Sequence, residues 1–136
     1  KTPLEISSMA DIASGTGLGS SSSYTVGLLN GLNTLLRRHV SVQELAEEAC
    51  KVEMELIGKP VGKQDQYAAA FGGIIALNID RTGKVIVERL NLEKEFLAEL
   101  QHRLMIFYTN IQRDANEILG DQQMQILKKN NHHSLE

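Results

Sequence analysis

A loop of glycines and serines constrains this chain more than any other feature. Residues 15–23 read Gly-Thr-Gly-Leu-Gly-Ser-Ser-Ser-Ser, and a helical pattern of leucines follows to about Arg38. The three glycines allow positive φ angles and let backbone N–H groups approach a ligand closely. The serines fall at the start of the helix, where unpaired N–H groups and the helix dipole favour an anion. The loop therefore predicts a phosphate-binding site.

Two better-known phosphate loops do not fit this sequence. The P-loop requires Gly-Lys-Ser/Thr after its spacer, and no lysine lies in or near the loop. The dinucleotide fingerprint requires a glycine at position 20, which is Ser20. A Gly/Ser linker or an ordinary capped helix is the structural alternative, because such clusters are common in loops.

Composition limits the class of protein. With 136 residues, of which 42% are hydrophobic and 23% charged, the chain predicts one globular domain rather than a disordered segment. A net charge of −3, without a Lys/Arg run, argues against a nucleic-acid or membrane-surface partner. Cys50 is the single cysteine, so no internal disulfide can form and a reducing cytoplasm is predicted. No apolar run approaches the roughly 20 residues of a membrane span.

Hydrophobic periodicity and turn residues divide the chain into helices and strands. The helix at 41–57 opens with a capping box, Ser41-Val42-Gln43-Glu44. The other predicted elements are a strand at 4–12, a helix to about 38, a short alanine-rich helix within 62–73, a hairpin of strands 74–79 and 85–90, a helix at 92–101, a strand at 104–109 and a helix at 114–129.

Glu53 lies on the apolar face of the helix at 41–57. At about 100° per residue, that face comprises Val42, Leu45, Ala46, Ala49, Val52, Leu56 and Ile57, while the other glutamates fall on the opposite side. A carboxylate at this position must be paired, bind a metal or be protonated, because burying a bare charge is costly. The structural alternatives are a buried ion pair with Lys or Arg, or an edge position that reaches solvent.

Asp65 is the third candidate, and it precedes three alanines in the short helix. In the first turn of that helix, the helix dipole favours its anionic form. The alanines allow close packing, which would fix the helix and aim the carboxylate. Such a carboxylate can accept the proton of a substrate hydroxyl during phosphoryl transfer. Plain helix capping is the structural alternative.

Three strings of residues resemble the GHMP kinase superfamily, which includes galactokinases, homoserine kinases and mevalonate kinases. Gly17-Leu18-Gly19-Ser20-Ser21 matches the family's phosphate loop P-x-x-x-G-L-G-S-S, with Ala13 in place of the proline. Residues 61–73, V-G-K-Q-D-Q-Y-A-A-A-F-G-G, and 107–113, F-Y-T-N-I-Q-R, resemble the sugar-kinase branch, with Asn110 where the family usually has glycine. The resemblance covers about residues 4–119.

The resemblance implies a fold and a set of roles. The fold would be that of the family's N-terminal domain, ribosomal S5 domain 2-like: α+β, with a mixed or antiparallel sheet and helices packed on one face. ATP and Mg²⁺ would be the cofactors, and the reaction would move the γ-phosphoryl group to a sugar hydroxyl, the anomeric one of a heptose 7-phosphate. Asp65 would be the catalytic base, and Ser21 and Glu53 would bind the metal. The nucleotide-binding residues would be Gly15, Gly17, Leu18, Gly19, Ser20, Ser21 and Ser22.

The resemblance also implies an incomplete kinase. Residues 1–103 would be part of the N-terminal, ATP-binding domain, and 104–136 would start a truncated C-terminal domain. The family's N-terminal motif and C-terminal glycine-rich loop are absent from this chain, so we expect little turnover from it alone. Two alternatives stay open: a non-catalytic phosphate- or nucleotide-binding module, and a structural fragment that self-associates through surfaces left open. The kinase interpretation requires Asp65 and Ser21 to lie on the same side of the loop.

Overall fold

The computed structural model describes residues 3–12 and 16–107. The elements in this part of the chain are α1 (Ser20–Leu35), α2 (Val42–Cys50), a π-helical segment (Lys51–Leu56), α3 (Gln64–Phe71), β1 (Ile75–Ile79), β2 (Val85–Arg89) and α4 (Lys94–Arg103). The two strands pair antiparallel, with Ile75 opposite Arg89 and Ile79 opposite Val85. Helices α1, α2 and α3 pack on one another, and α3 also contacts β1. The predicted α+β fold with an antiparallel sheet is confirmed.

The capping box starts α2 as the sequence predicts. The Glu44 backbone N–H donates to Ser41 Oγ at 3.1 Å, and the Ser41 N–H donates to Glu44 Oε2 at 2.7 Å. The helix then buries Leu45, Ala46, Ala49 and Cys50. These small and apolar side chains let α1 and α3 approach α2 closely, which brings their first turns together.

The predicted helix at 41–57 continues past Cys50 with a change of winding. Over the π segment the hydrogen bonds reach one residue further, as in Ile57 N–H to Val52 O at 3.0 Å. The wider turns rotate the last residues away from the core, so Leu56 and Ile57 are 73% and 59% exposed. Their predicted place on the apolar face is therefore wrong, whereas the predicted burial of Glu53 is confirmed at 0% exposure.

Two hydrophobic clusters form the core. One joins Ala46 and Cys50 of α2 to Tyr67 of α3 and Val85 of β2, and the other joins Leu45 and Ala49 to Val26 of α1; both have Ala70 at their edge. Tyr67 stacks on Phe71 with ring centroids 6.0 Å apart, and the hairpin covers this pair. The core thus fixes α3 against α2, and with it the position of Asp65.

The face of α1 that packs inward differs from the leucine stripe. Its buried residues are Ser22, Val26 and Asn33, which repeat at helical spacing on one side. α1 also ends at Leu35 rather than near 38, because Arg37 adopts a left-handed φ of 53°. The face that turns toward α2 therefore combines the apolar Val26 with the polar Ser22 and Asn33, and it presents the Ser22 hydroxyl to the interior.

Four predicted elements differ from the structure or lie partly or wholly outside the described residues. Residues 3–12 form no strand, and 104–107 form none either; a strand requires a partner for its backbone, and the described strands β1 and β2 pair with each other. The helix predicted at 92–101 begins two residues later, as α4, and buries none of its side chains. The predicted helix at 114–129 and residues 108–109 of the predicted strand lie outside the described residues. Among the described helices, none has the length and apolar character needed to cross a bilayer.

Candidate functional site

Glu53 lies where three segments of the chain meet. Its Oε1 accepts a hydrogen bond from Ser21 Oγ of α1 at 2.5 Å. Its Oε2 accepts one from Ser22 Oγ at 2.7 Å and another from Gln66 Nε2 of α3 at 2.6 Å. The π segment thus contributes an anion that α1 and α3 both bind. The Glu53 carboxylate can be buried away from water because each of its oxygens accepts a hydrogen bond.

Lys59 provides the positive charge opposite Glu53. Its Nζ lies 2.6 Å from Ser21 Oγ and 3.5 Å from Glu53 Oε1. The turn that places it uses Gly58, with φ at 75°, and returns the Lys59 N–H to Glu53 O at 2.9 Å. The ion-pair alternative for Glu53 is therefore realised, together with three hydrogen bonds from neutral side chains.

Sequence reasoning missed Lys59 and Gln66. Gln66 is fully buried. The functional residue predicted in this helix was its neighbour Asp65, because a carboxylate can act as a base. A weak signal existed for Lys59, since a lysine just beyond a glycine that ends a helix can turn back toward that helix. Neither contact follows from periodicity, because both depend on how α3 and the turn at Gly58 pack.

The surroundings of Glu53 favour its charged form. Burial raises the pKa of the Glu53 carboxyl, but the hydrogen bonds from Ser21, Ser22 and Gln66 and the Lys59 charge outweigh it. The pKa of Glu53 therefore lies below its ordinary value of 4.5. The site holds a permanent buried anion at neutral pH.

Acid should destabilise the fold through Glu53. Because its pKa is lower in the folded chain, Glu53 adds stability above pH 4.5 that is lost as the pH falls through the folded pKa. We expect the free energy of unfolding, measured by urea denaturation between pH 7 and 3, to fall below pH 4.5, and to fall less steeply in Glu53→Gln. Glu55→Gln, at an exposed position of the same segment, should retain the wild-type pH dependence. If the free energy of unfolding fell equally steeply with decreasing pH in wild type and Glu53→Gln, the role of Glu53 in acid destabilisation would be contradicted.

Asp65 lies beside the loop, in the first turn of α3. A Cβ added to Gly19 would stand 3.2 Å from Asp65 Cγ and 3.3 Å from its Oδ2, so the carboxylate rests against the glycine that precedes α1. Lys63 is the N-cap of α3, and no side chain caps this helix, so the capping alternative for Asp65 is not realised. Asp65 thus contacts the loop at Gly19, two residues before Ser21, and the expectation that Asp65 and Ser21 share one side of the loop stays a prediction.

The loop has the backbone geometry that an anion site needs. Gly17 and Gly19 have φ angles of 75° and 66°, and α1 begins at Ser20, so the first-turn N–H groups of Ser20–Ser22 have no acceptor within the helix. Thr16 Oγ1 is buried with no hydrogen-bond partner in the described part of the chain. Leu18 is exposed, and Gly15 lies outside the described residues.

The residues around Glu53 also fit a divalent cation bound jointly with phosphate. The described residues contain no cluster of three or more His, Cys, Asp or Glu, so the chain does not form a complete metal cage there. However, Ser21 Oγ and Glu53 Oε1 are adjacent oxygens that already attract the Lys59 ammonium. Mg²⁺ commonly uses one or two carboxylates and completes its coordination with water and substrate phosphates.

Comparison with known proteins gives consistent results. The sequence profile of the GHMP kinases N-terminal domain matches residues 2–73. D-glycero-alpha-D-manno-heptose 7-phosphate kinase of Campylobacter jejuni is 37% identical over 120 residues, which is 87% of this chain and 35% of that protein. Galactokinase of Pyrococcus furiosus is 30% identical over 76% of this chain and 28% of its own length, and that of Thermococcus kodakarensis is 34% identical over 74% and 27%.

A solved structure gives the same result at the level of the fold. The crystal structure of a provisionally assigned sugar kinase from Campylobacter jejuni superposes with a TM-score of 0.69 at 33% identity, covering 89% of this chain and 38% of that one. This chain therefore spans about a third of the length of the relatives that it matches.

Proposed function

This chain belongs to the GHMP kinase family, and we propose that it is part of a sugar kinase that transfers the γ-phosphoryl group of ATP to the anomeric hydroxyl of a heptose 7-phosphate. The proposal is supported by two observations: Asp65 contacts the loop at Gly19, and hydrogen bonds join the buried Glu53 to Ser21 of α1 and to Gln66 of α3. The heptose is proposed because a heptose 7-phosphate kinase is among the relatives and matches 87% of the chain.

The loop would hold the nucleotide phosphates. Backbone N–H groups of Ser20–Ser22 point out of the first turn of α1, where the helix dipole adds a partial positive charge. Each dipole interaction is worth only about 0.3–1 kcal/mol when exposed, so several donors must act together. Gly17 and Gly19 allow the backbone to turn around the phosphates, and Gly15 and Leu18 are proposed to complete the loop.

Asp65 would accept the proton of the attacking hydroxyl. Its carboxylate is exposed and lies against Gly19, so an acceptor placed beside the loop could reach both the carboxylate and the terminal phosphate. Phosphoryl transfer depends mainly on positioning and charge stabilisation, and a positioned base adds to these by taking the proton as the new bond forms.

Ser21 and Glu53 would hold Mg²⁺, which when bound neutralises charge on the phosphates. Glu53 is suited to this because its neighbours keep it ionised. Gln66 and Ser22 hold the second carboxylate oxygen and so fix the direction in which the first one points. These two residues act as positioning groups for the proposed metal ligand.

Gly19→Ala should reduce turnover more than Gly17→Ala does. Both glycines have a left-handed φ, so alanine at either position should cost about 1–2 kcal/mol of backbone strain. Only at position 19 would the new Cβ also press on Asp65, since nothing lies within 4 Å of a Cβ at position 17. Misplacing the base should lower kcat by about tenfold or more relative to Gly17→Ala, measured by ADP release from the full-length protein. Equal kcat values for the two variants would contradict the placement of Asp65.

The function is tested with the full-length protein that contains this chain. ADP release is measured with D-glycero-D-manno-heptose 7-phosphate and with galactose, and ³¹P NMR identifies the phosphorylated carbon. Turnover of the heptose phosphate with a new anomeric phosphate supports the proposal. A preference for galactose would mean that galactose, and not the heptose phosphate, is the substrate. Nucleotide binding without turnover of any sugar would favour the non-catalytic module. We expect residues 1–136 alone to show little turnover, and robust turnover would contradict that expectation.

We propose that residues 1–103 belong to the ATP-binding domain and that 104–136 start the next domain. A reducing cytoplasm is proposed because the single cysteine, Cys50, is free and buried. Burial raises the pKa of its thiol to about 11, so the reaction of Cys50 with a thiol reagent is a convenient measure of unfolding.

A further inference from the structure

The position proposed for the metal already holds a positive charge. The Lys59 ammonium donates to Ser21 Oγ at 2.6 Å and lies 3.5 Å from Glu53 Oε1. These are the same two oxygens that would bind Mg²⁺. The Ser21 hydroxyl donates its proton to Glu53 and accepts from Lys59, so at least one of its lone pairs is in use.

The repulsion between two positive charges opposes the binding of Lys59 and a metal to the same oxygens at the same time. Two cations at one hydroxyl and one carboxylate oxygen would repel each other strongly in a partly buried site. Removing Lys59 without replacement would leave the fully buried Glu53 with hydrogen bonds but no counter-charge, which is costly. A cation beside Glu53 therefore adds to the stabilisation that its hydrogen bonds provide, and either of the two can supply that charge.

Lys59 is able to leave. Its side chain is 29% exposed, whereas that of Glu53 is 1% exposed, so the ammonium can move into water along its flexible stem while the carboxylate stays in place. We propose that Lys59 and Mg²⁺ occupy the Ser21–Glu53 pair alternately. Lys59 keeps the two ligands charged and oriented before the metal arrives, and the metal releases the ammonium to solvent. The proposal rests on the metal role given above to Ser21 and Glu53.

The exchange can be measured without turnover by reductive methylation of lysines followed by peptide mass spectrometry. In wild-type protein, saturating Mg²⁺ with a non-hydrolysable ATP analogue should raise the methylation rate of Lys59 by about tenfold over the analogue alone, because hydrogen bonds to charged groups protect the ammonium until it is displaced. Choline chloride at equal ionic strength controls for screening, and exposed Lys51 of the same segment serves as an internal reference. An unchanged rate at Lys59 would overturn the proposal.

Metal affinity provides the second measurement. Mn²⁺ binding to the complex of the protein with the same ATP analogue, followed by EPR with Mg²⁺ as competitor, should be about tenfold tighter in Lys59→Met, because the competing ammonium is gone. Lys59→Arg should bind as weakly as wild type, and Lys51→Met should be unaffected. Equal or weaker metal binding by Lys59→Met would overturn the proposal, since a merely structural lysine would not oppose the metal.

These measurements remain decisive if the variant or the proposed function fails. Protection of the Cys50 thiol reports whether Lys59→Met is folded; if it is not, the methylation of wild-type protein decides alone. Because the analogue transfers no phosphoryl group and no sugar is present, a protein that exchanges the two cations but phosphorylates no sugar would keep this proposal and lose the proposed function. A protein that phosphorylates its sugar without releasing Lys59 would keep the proposed function and lose this proposal.

Discussion

Asp65→Asn should lower the turnover of the full-length protein by about 10²- to 10⁴-fold, the usual contribution of a positioned general base. Asparagine has the same shape but cannot take a proton, so the acceptor hydroxyl would attack without a base. Nucleotide affinity should remain nearly unchanged, because the proposed phosphate contacts come from the first turn of α1. The fold should also remain, since Asp65 is exposed and does not cap α3. Turnover is measured by single-turnover ADP release, and nucleotide affinity by calorimetry.

Asp80→Asn is the matched control for charge. Asp80 lies in the hairpin turn, where its Oδ1 accepts from the N–H groups of Thr82 and Lys84 at 2.8 and 3.0 Å. Its replacement removes one carboxylate and weakens the turn, but should leave kcat close to wild type. If Asp65→Asn kept full turnover, Asp65 would be removed from the role of base. If both variants lost turnover equally, the loss would reflect stability and not proton transfer.

Features that depend on a few neighbouring residues can be predicted from this sequence. The capping box at Ser41 and Glu44, the hairpin, and the positive φ angles of Gly17 and Gly19 each follow from side chains or glycines close together in the chain, and the structure confirms them. The burial of Glu53 was predictable for the same reason. It lies early in the π segment, before the change in winding has moved it off the apolar face.

Features that depend on distant partners cannot be predicted in this way. Leu56 is exposed because of a π segment whose cause the sequence pattern does not reveal. Residues 4–12 alternate like a strand, but alternation does not supply a pairing partner. Lys59 and Gln66 reach Glu53 only because the turn at Gly58 and the packing of α3 bring them there. Apolar periodicity predicts which side of a helix is buried, but not which polar groups meet inside.

Glu53→Ala should be the most destabilising substitution in the site, lowering the free energy of unfolding by about 3–5 kcal/mol, as expected when one partner of a buried pair is removed. It would leave the buried Gln66 amide and the Ser22 hydroxyl without their shared acceptor, and Lys59 without its counter-charge. Urea denaturation, with Cys50 protection as a second probe, measures the effect. Glu55→Ala, in the same π segment but exposed, should change stability by less than about 0.5 kcal/mol.

Glu53→Gln separates the two roles assigned to this carboxylate. Glutamine keeps the shape and one acceptor oxygen but removes the charge, so it should fold better than Glu53→Ala while weakening Mg²⁺-dependent nucleotide binding. The comparison is made by calorimetry with and without Mg²⁺. A loss confined to the Mg²⁺ condition would support a metal ligand. If Glu53→Gln lowered only stability and left Mg²⁺-dependent binding intact, the ion pair with Lys59 would be purely structural, and the metal would have to be bound elsewhere.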